Sequence, residues 1–147
     1  MEKHSTMDKI TLNFDGSCEP VNPGGNMGFG FVLKLGSSSL HTEHGFKPAS
    51  PANSNNVAEY MALNAGLQWL INEGFVDDEI EVLGDSMLVI NQMAKTWRAK
   101  GGMYFAEYQR AVKLRDQFAN ISFRWIRRDQ NTEADQLSRS DAPLVQQ

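Results

Sequence analysis

Three consecutive segments with a two-residue period, followed by strands that alternate with helical periods, constrain this chain most. Ile10, Leu12 and Phe14 alternate with Thr11, Asn13 and Asp15, which predicts a strand with Asp15 on the face opposite the apolar trio. Residues 16 to 26 carry two prolines and three glycines and read as a loop. Gly28 to Leu35 and Leu40 to Phe46 read as two further strands joined by a hairpin turn at 36–38. Asn55 or Asn56 is expected to cap a helix that runs to about Asn72 and stops near Gly74. Ile80, Val82 and Leu83 mark a short fourth strand, after which Asp85 or Ser86 starts a helix reaching Met93. Tyr104 to Phe118 reads as a third helix, Ile121 to Ile126 as a fifth strand and Asn131 to Arg139 as a last short helix. Three opening strands suit an antiparallel meander, whereas strands separated by helices favour parallel crossovers. The expected fold class is therefore α/β: a mixed five-stranded sheet, three antiparallel strands then parallel strands, flanked by helices. One domain is expected over 9–139, with loose tails at 1–8 and 140–147.

Composition bounds the function. A chain of 147 residues with 41% apolar content fits one globular domain. No apolar run approaches the roughly 20 residues of a spanning helix, and the polar start lacks the core of a secretion signal. Cys18 is the lone cysteine, so no internal disulfide is available and a cytoplasmic location is expected. The net charge of −4 argues mildly against nucleic acid, because phosphates want Lys and Arg. Yet basic residues bunch at Lys95, Arg98 and Lys100 and again at Arg124, Arg127 and Arg128, and cations held by clustered carboxylates would cancel part of the total.

Four acids stand in distinctive contexts: Asp15 in Phe-Asp-Gly-Ser-Cys, Glu59 in Asn-Asn-Val-Ala-Glu-Tyr, Asp85 in Leu-Gly-Asp-Ser and Asp135 in Asn-Thr-Glu-Ala-Asp. Taken singly each has a plain explanation: a turn former, a solvated helix residue, a cap, an acid in a first helical turn. Glu59 departs from its own, since Ala62, Leu63 and Gly66 make its helix face apolar. Asp15 and Asp85 both end strands, where α/β sheets carry their sites. If the four converge, each contacting pair of charges repels by about 4 kcal/mol at about 4 Å and an effective dielectric near 20. A fold keeps such a cluster when cations neutralise it, and all-oxygen ligands select Mg²⁺ first and Mn²⁺ second.

These segments together resemble type 1 ribonuclease H, in the short archaeal and bacterial form that lacks the long basic protrusion. The resemblance spans about residues 10–139. It rests on Phe14 to Pro20 with Asn22 to Gly25, on Asn55 to Leu63, on Gly84 to Val89 followed by Gln92, and on Trp125 to Arg128 followed by Asn131 to Asp135. It implies the ribonuclease H-like fold and an endonuclease that cuts the RNA strand of RNA/DNA hybrids by two-metal-ion catalysis, leaving 5′-phosphate and 3′-hydroxyl ends. Asp15, Glu59, Asp85 and Asp135 match the family's catalytic metal ligands, for two Mg²⁺ or Mn²⁺ ions with substrate bound. Ser17, Cys18, Asn22, Asn55 and Asn56 match positions that read RNA through its 2′-hydroxyls, a mode suited to recognition by shape. Arg127 or Arg128 is a candidate to hold the scissile phosphate, against the equal alternative of a solvated basic strand end. The expected partner is an RNA/DNA hybrid, with no membrane, and the chain is expected to be a monomer.

The sequence departs from the family pattern in three places. Only Ile126 to Gln130 separate Trp125 from Asn131, and none of those five residues is the histidine that the best-studied bacterial form carries in this loop. Met87 stands where many relatives have a base-contacting glutamine, and Gln92 is too far along the helix to inherit that contact. The basic protrusion is reduced to Lys95 to Lys100, in which Trp97 is expected to pack under a loop rather than stack on substrate. Two alternatives stay open at this level: a non-catalytic hybrid-binding module, and a DNA-cutting nuclease of integrase or resolvase type on the same fold.

Overall fold

A computed structural model of the protein describes residues 9–139. The tails expected at 1–8 and 140–147 lie outside the described residues. The elements run β1 (Ile10–Glu19), β2 (Asn26–Leu35), β3 (Ser38–Lys47), α1 (Asn55–Asn72), β4 (Glu79–Gly84), α2 (Met87–Met93), α3 (Phe105–Arg115), β5 (Asn120–Trp125) and α4 (Thr132–Ser138). A single 3₁₀ turn, Arg128–Gln130, precedes α4. The sheet order is β3-β2-β1-β4-β5. Pairing is antiparallel for β1 with β2 and β2 with β3, and parallel for β1 with β4 and β4 with β5. The expected architecture, three antiparallel strands then parallel strands, is the one observed.

The period of two in β1 divides the molecule into two sides. Ile10, Leu12 and Phe14 are fully buried among Leu63, Leu67 and Leu70 of α1 and Val82 of β4. A Cβ at Gly66 would meet the Leu12 side chain at 2.6 Å, so α1 lies directly on that face. Asn13 points the other way, to Asn131 at the foot of α4. The absence of side chains at Gly28 and Gly30 of β2 lets α4 sit against the sheet: added Cβ atoms would meet the Ser138 carbonyl at 1.8 Å and Leu137 Cβ at 2.4 Å. Both helix layers thus reach the same strand end, which brings acids from four elements together.

Several expected boundaries shift. Residues 16–19 continue β1 rather than open a loop, because Gly16, Ser17, Cys18 and Glu19 find ladder partners in Phe29, Gly28, Met27 and Asn26. The connecting loop is only 20–25. The α1 cap is Ser54, whose hydroxyl accepts from the Val57 amide, and not Asn55 or Asn56. Ser86 caps α2 by accepting from Val89, which frees the Asp85 carboxylate from capping. Trp97 is 48% exposed and so is not packed beneath its loop.

Candidate active site

Asp15 lies in β1 opposite Gly30, Glu59 in the second turn of α1, and Asp85 one residue past β4. Their nearest carboxylate oxygens all fall within 4.8 Å of one another. Gly16 is what permits this approach. A Cβ there would stand 2.4 Å from the backbone of Ala58 and Glu59, so only glycine lets α1 close on β1 at this point. The Gly16 amide favours the charged forms of the Asp15 and Glu59 carboxylates, against the larger effect of burial. Asp135, in α4, completes the group from the other side, close enough for its carboxylate to act on that of Asp15. The four expected acids therefore share one site, three of them as a tight cluster and Asp135 at its border.

Electrostatically the cluster is unsatisfied. Asp15 and Glu59 are 5% and 3% exposed. Burial, the charge of Asp85 and the contact with Asp135 push Asp15 up to about 7. Glu59 is raised well above the usual carboxylate range, by burial first and by the charges of Asp15 and Asp85 second. Its Oε1 is buried without a hydrogen-bond partner. Among the described residues no Lys or Arg forms an ion pair with Asp15, Glu59 or Asp85. Arg139 pairs with Asp135 at 3.0 Å and with Glu19, so it serves only the border acid. Buried acids without a protein cation, one of them with an orphaned oxygen, make a coherent ligand set for a hard divalent ion.

The frame around the acids was less visible in the sequence. The Asp85 backbone carbonyl accepts from the indole Nε1 of Trp125 at 3.0 Å. Its carboxylate Oδ2 accepts from Asn131 Nδ2 at 3.1 Å. Ser138 Oγ donates to the Asp135 carbonyl at 2.8 Å and lies 3.4 Å from Asp15 Oδ2. Behind Glu59, the Tyr60 hydroxyl donates to Gln92 Oε1 at 2.6 Å and Gln92 Nε2 donates to the Tyr104 hydroxyl, tying α1, α2 and the start of α3 together. Gln92 is thus a buried link between helices. Asn131 carries part of the family resemblance, but its bond to Asp85, like that of Ser138 toward Asp15, joins distant parts of the chain and leaves no local pattern.

The polar residues expected at the substrate face divide. Asn55 and Asn56 sit half-buried in the first turn of α1, and exposed Asn22 reaches them: its Oδ1 accepts from the Asn55 amide at 2.9 Å. Ser17 and Cys18 are buried, with Ser17 Oγ donating to the Ser138 carbonyl at 2.9 Å and Cys18 Sγ to the Val21 carbonyl at 3.3 Å. Their side chains point into the protein rather than onto the surface of the three asparagines. Arg127 is exposed and paired with Asp129 at 3.1 Å. Arg128 is exposed in the 3₁₀ turn, with no partner among the described residues.

Residues 13–141 match the family described as "Reverse transcriptase-like". A bifunctional protein of Mycobacterium tuberculosis is 36% identical over 130 residues, 88% of this chain and 34% of that protein. The chain thus spans about a third of that relative's length. The N-terminal ribonuclease H domain of a protein from the same organism, solved as a fusion with maltose-binding protein, superposes with a TM-score of 0.81 at 32% identity, covering 91% of this chain and 93% of that one. A type 1 ribonuclease H in complex with an RNA/DNA hybrid superposes with a TM-score of 0.78 at 30% identity, covering 88% and 93% of the two chains.

Proposed function

The chain belongs to the reverse transcriptase-like family, within it to the type 1 ribonuclease H group, and on that premise we propose that it is a metal-dependent endonuclease that cuts the RNA strand of RNA/DNA hybrids. The observation that carries this reading is the convergence of Asp15, Glu59 and Asp85, with Asp135 beside them, in a cluster whose three inner acids have no ion pair with Lys or Arg among the described residues. Support for the hybrid as substrate comes from the ribonuclease H relative of Halobacterium salinarum, 34% identical over 88% of this chain and 62% of that protein, and from the related structure bound to hybrid.

In this reading Asp15, Glu59, Asp85 and Asp135 hold two Mg²⁺ or Mn²⁺ ions. Such a pair, when bound, supplies an activated water and stabilises the leaving 3′-oxygen of a phosphodiester, which gives 5′-phosphate and 3′-hydroxyl products. The chain's own residues do the positioning. Gly16, without a side chain, lets α1 bring Glu59 up to Asp15. Trp125 fixes the Asp85 backbone. Asn22, Asn55 and Asn56 present carboxamides that both donate and accept, the chemistry a 2′-hydroxyl requires, one helical turn from Glu59. Arg128, exposed and without an ion-pair partner among the described residues, is the better candidate than Arg127, which is paired with Asp129, to receive the scissile phosphate.

The test is a substrate panel: end-labelled RNA/DNA hybrid, duplex DNA and duplex RNA, each with EDTA, Mg²⁺ or Mn²⁺. Cutting of the hybrid's RNA strand with either metal and none with EDTA supports the reading. Preferential cutting of duplex DNA, or hybrid binding with no cleavage in either metal, overturns it.

A further inference from the structure

Asn131 stands where an asparagine normally caps a helix, yet its side chain makes no capping bond to α4. It is 1% exposed and turned toward the sheet. Its Nδ2 donates to the Phe14 carbonyl at 2.9 Å and to Asp85 Oδ2 at 3.1 Å, and its Oδ1 accepts from Asn13 Nδ2 at 3.0 Å. The orientation of the carboxamide is forced, because a backbone carbonyl and an ionised carboxylate can only accept. Both of its N–H groups are therefore used on acceptors that flank the site. Its backbone is used as well: the Asn131 carbonyl accepts from the Asp135 amide at 3.0 Å, closing the first turn of α4 around the fourth acid.

One residue thus ties three of the four acids: Asp85 by its carboxylate, Asp15 through the carbonyl of its chain neighbour Phe14, and Asp135 through the start of its helix. With Oδ2 held by the amide, the Asp85 carboxylate cannot rotate freely about its side-chain bond, and Oδ1 is left without a protein donor among the described residues. Resting on the metal-dependent reading above, we propose that Asn131 is a positioning residue that fixes the Asp85 carboxylate for metal binding, having given up the capping role its place in the chain would assign it. An aspartate at this position would keep the size, remove both donors and set a fifth acid against Asp85.

The experiment measures Mn²⁺ affinity of the metal-free protein by isothermal titration calorimetry, alongside its circular dichroism and its kcat and KM on hybrid. Wild type, Asn131→Asp, Asn131→Ala and Asn13→Ala are compared. Loss of an outer partner of a metal ligand lowers affinity by about 10- to 100-fold. Both Asn131 variants should fall in or beyond that range, with kcat reduced, KM for hybrid little changed, and the rate partly restored by excess metal. Asn13→Ala, which removes only the anchor of Asn131 Oδ1, should fall by about tenfold, the lower end of the range. If the Asn131 variants do not fold, Asn13→Ala decides. Unchanged Mn²⁺ affinity in the folded variants overturns the assignment even where the rate drops. Failure of wild type itself to bind Mn²⁺ would instead refute the metal-dependent reading on which it rests.

Discussion

Asp15 and Glu59 are held in a state the metal-free protein tolerates poorly, and this gives the residue scale its sharpest expectations. A carboxyl whose folded pKa is raised keeps its proton more tightly folded than unfolded. As pH rises from the ordinary 3.8 toward about 7, the folded chain must surrender a proton that the unfolded chain has already lost. Metal-free protein should therefore lose thermal stability across that window, and Mg²⁺ or Mn²⁺ should restore it most at the alkaline end, which thermal melts at stepped pH would reveal. A melting temperature that climbs between pH 5 and 8 without metal would contradict this. Neutralising an acid should have two opposite effects. Asp15→Asn should raise the melting temperature of the metal-free protein at pH 8, by removing repulsion and desolvation together, while lowering hybrid cleavage by more than about 100-fold, beyond what loss of a supporting residue produces. A variant that melts lower and still cuts would refute the electrostatic picture of the cluster.

Between the elements, the site depends on how closely helices approach strands, and glycines decide that. Gly30→Ala would drive a methyl group into Leu137, 2.4 Å away, and lift α4 from β2. Overpacking of this kind destabilises by about 1–3 kcal/mol. Because α4 carries Asp135, cleavage should fall further than the loss of stability explains; chemical denaturation and kcat on the same variant would separate the two. Ser54→Ala removes only the cap of α1 and should destabilise by about 1 kcal/mol with kcat nearly intact. The spatial order β3-β2-β1-β4-β5 came from the structure, whereas the sequence made the elements legible through their periods and, in the change from meander to helix-separated strands, the switch from antiparallel to parallel pairing. It hid the far end of β1, since Gly16 to Glu19 pair through their backbones and show no apolar alternation. It also misassigned the cap of α1, where Asn55 and Asn56 stand beside Ser54 and cap equally well on composition; for α2 it left Asp85 and Ser86 open, and the fold uses Ser86. The four acids were readable from their contexts, whereas the bonding roles of Asn131, Ser138 and Gln92 were not, because long-range hydrogen bonds leave no local pattern.

At the scale of the whole molecule, the proposed function asks an acidic chain to bind a polyanion. The net charge of −4 leaves few cations for phosphate contacts, and those present, such as Arg128, Arg98 and Lys100, are exposed and open to screening. Hybrid affinity should be modest, and the Michaelis constant should rise with salt between low and moderate ionic strength while kcat changes little. A Michaelis constant indifferent to salt would mean that binding rests on something other than these cations. The most direct test of the site as a whole is single: the rate at which Asp85→Asn, verified as folded by circular dichroism, cleaves the RNA strand of a labelled hybrid in saturating Mg²⁺. Loss of cleavage with the fold intact is the expected result, whereas cleavage at the wild-type rate would show that the carboxylate cluster is not the catalytic centre.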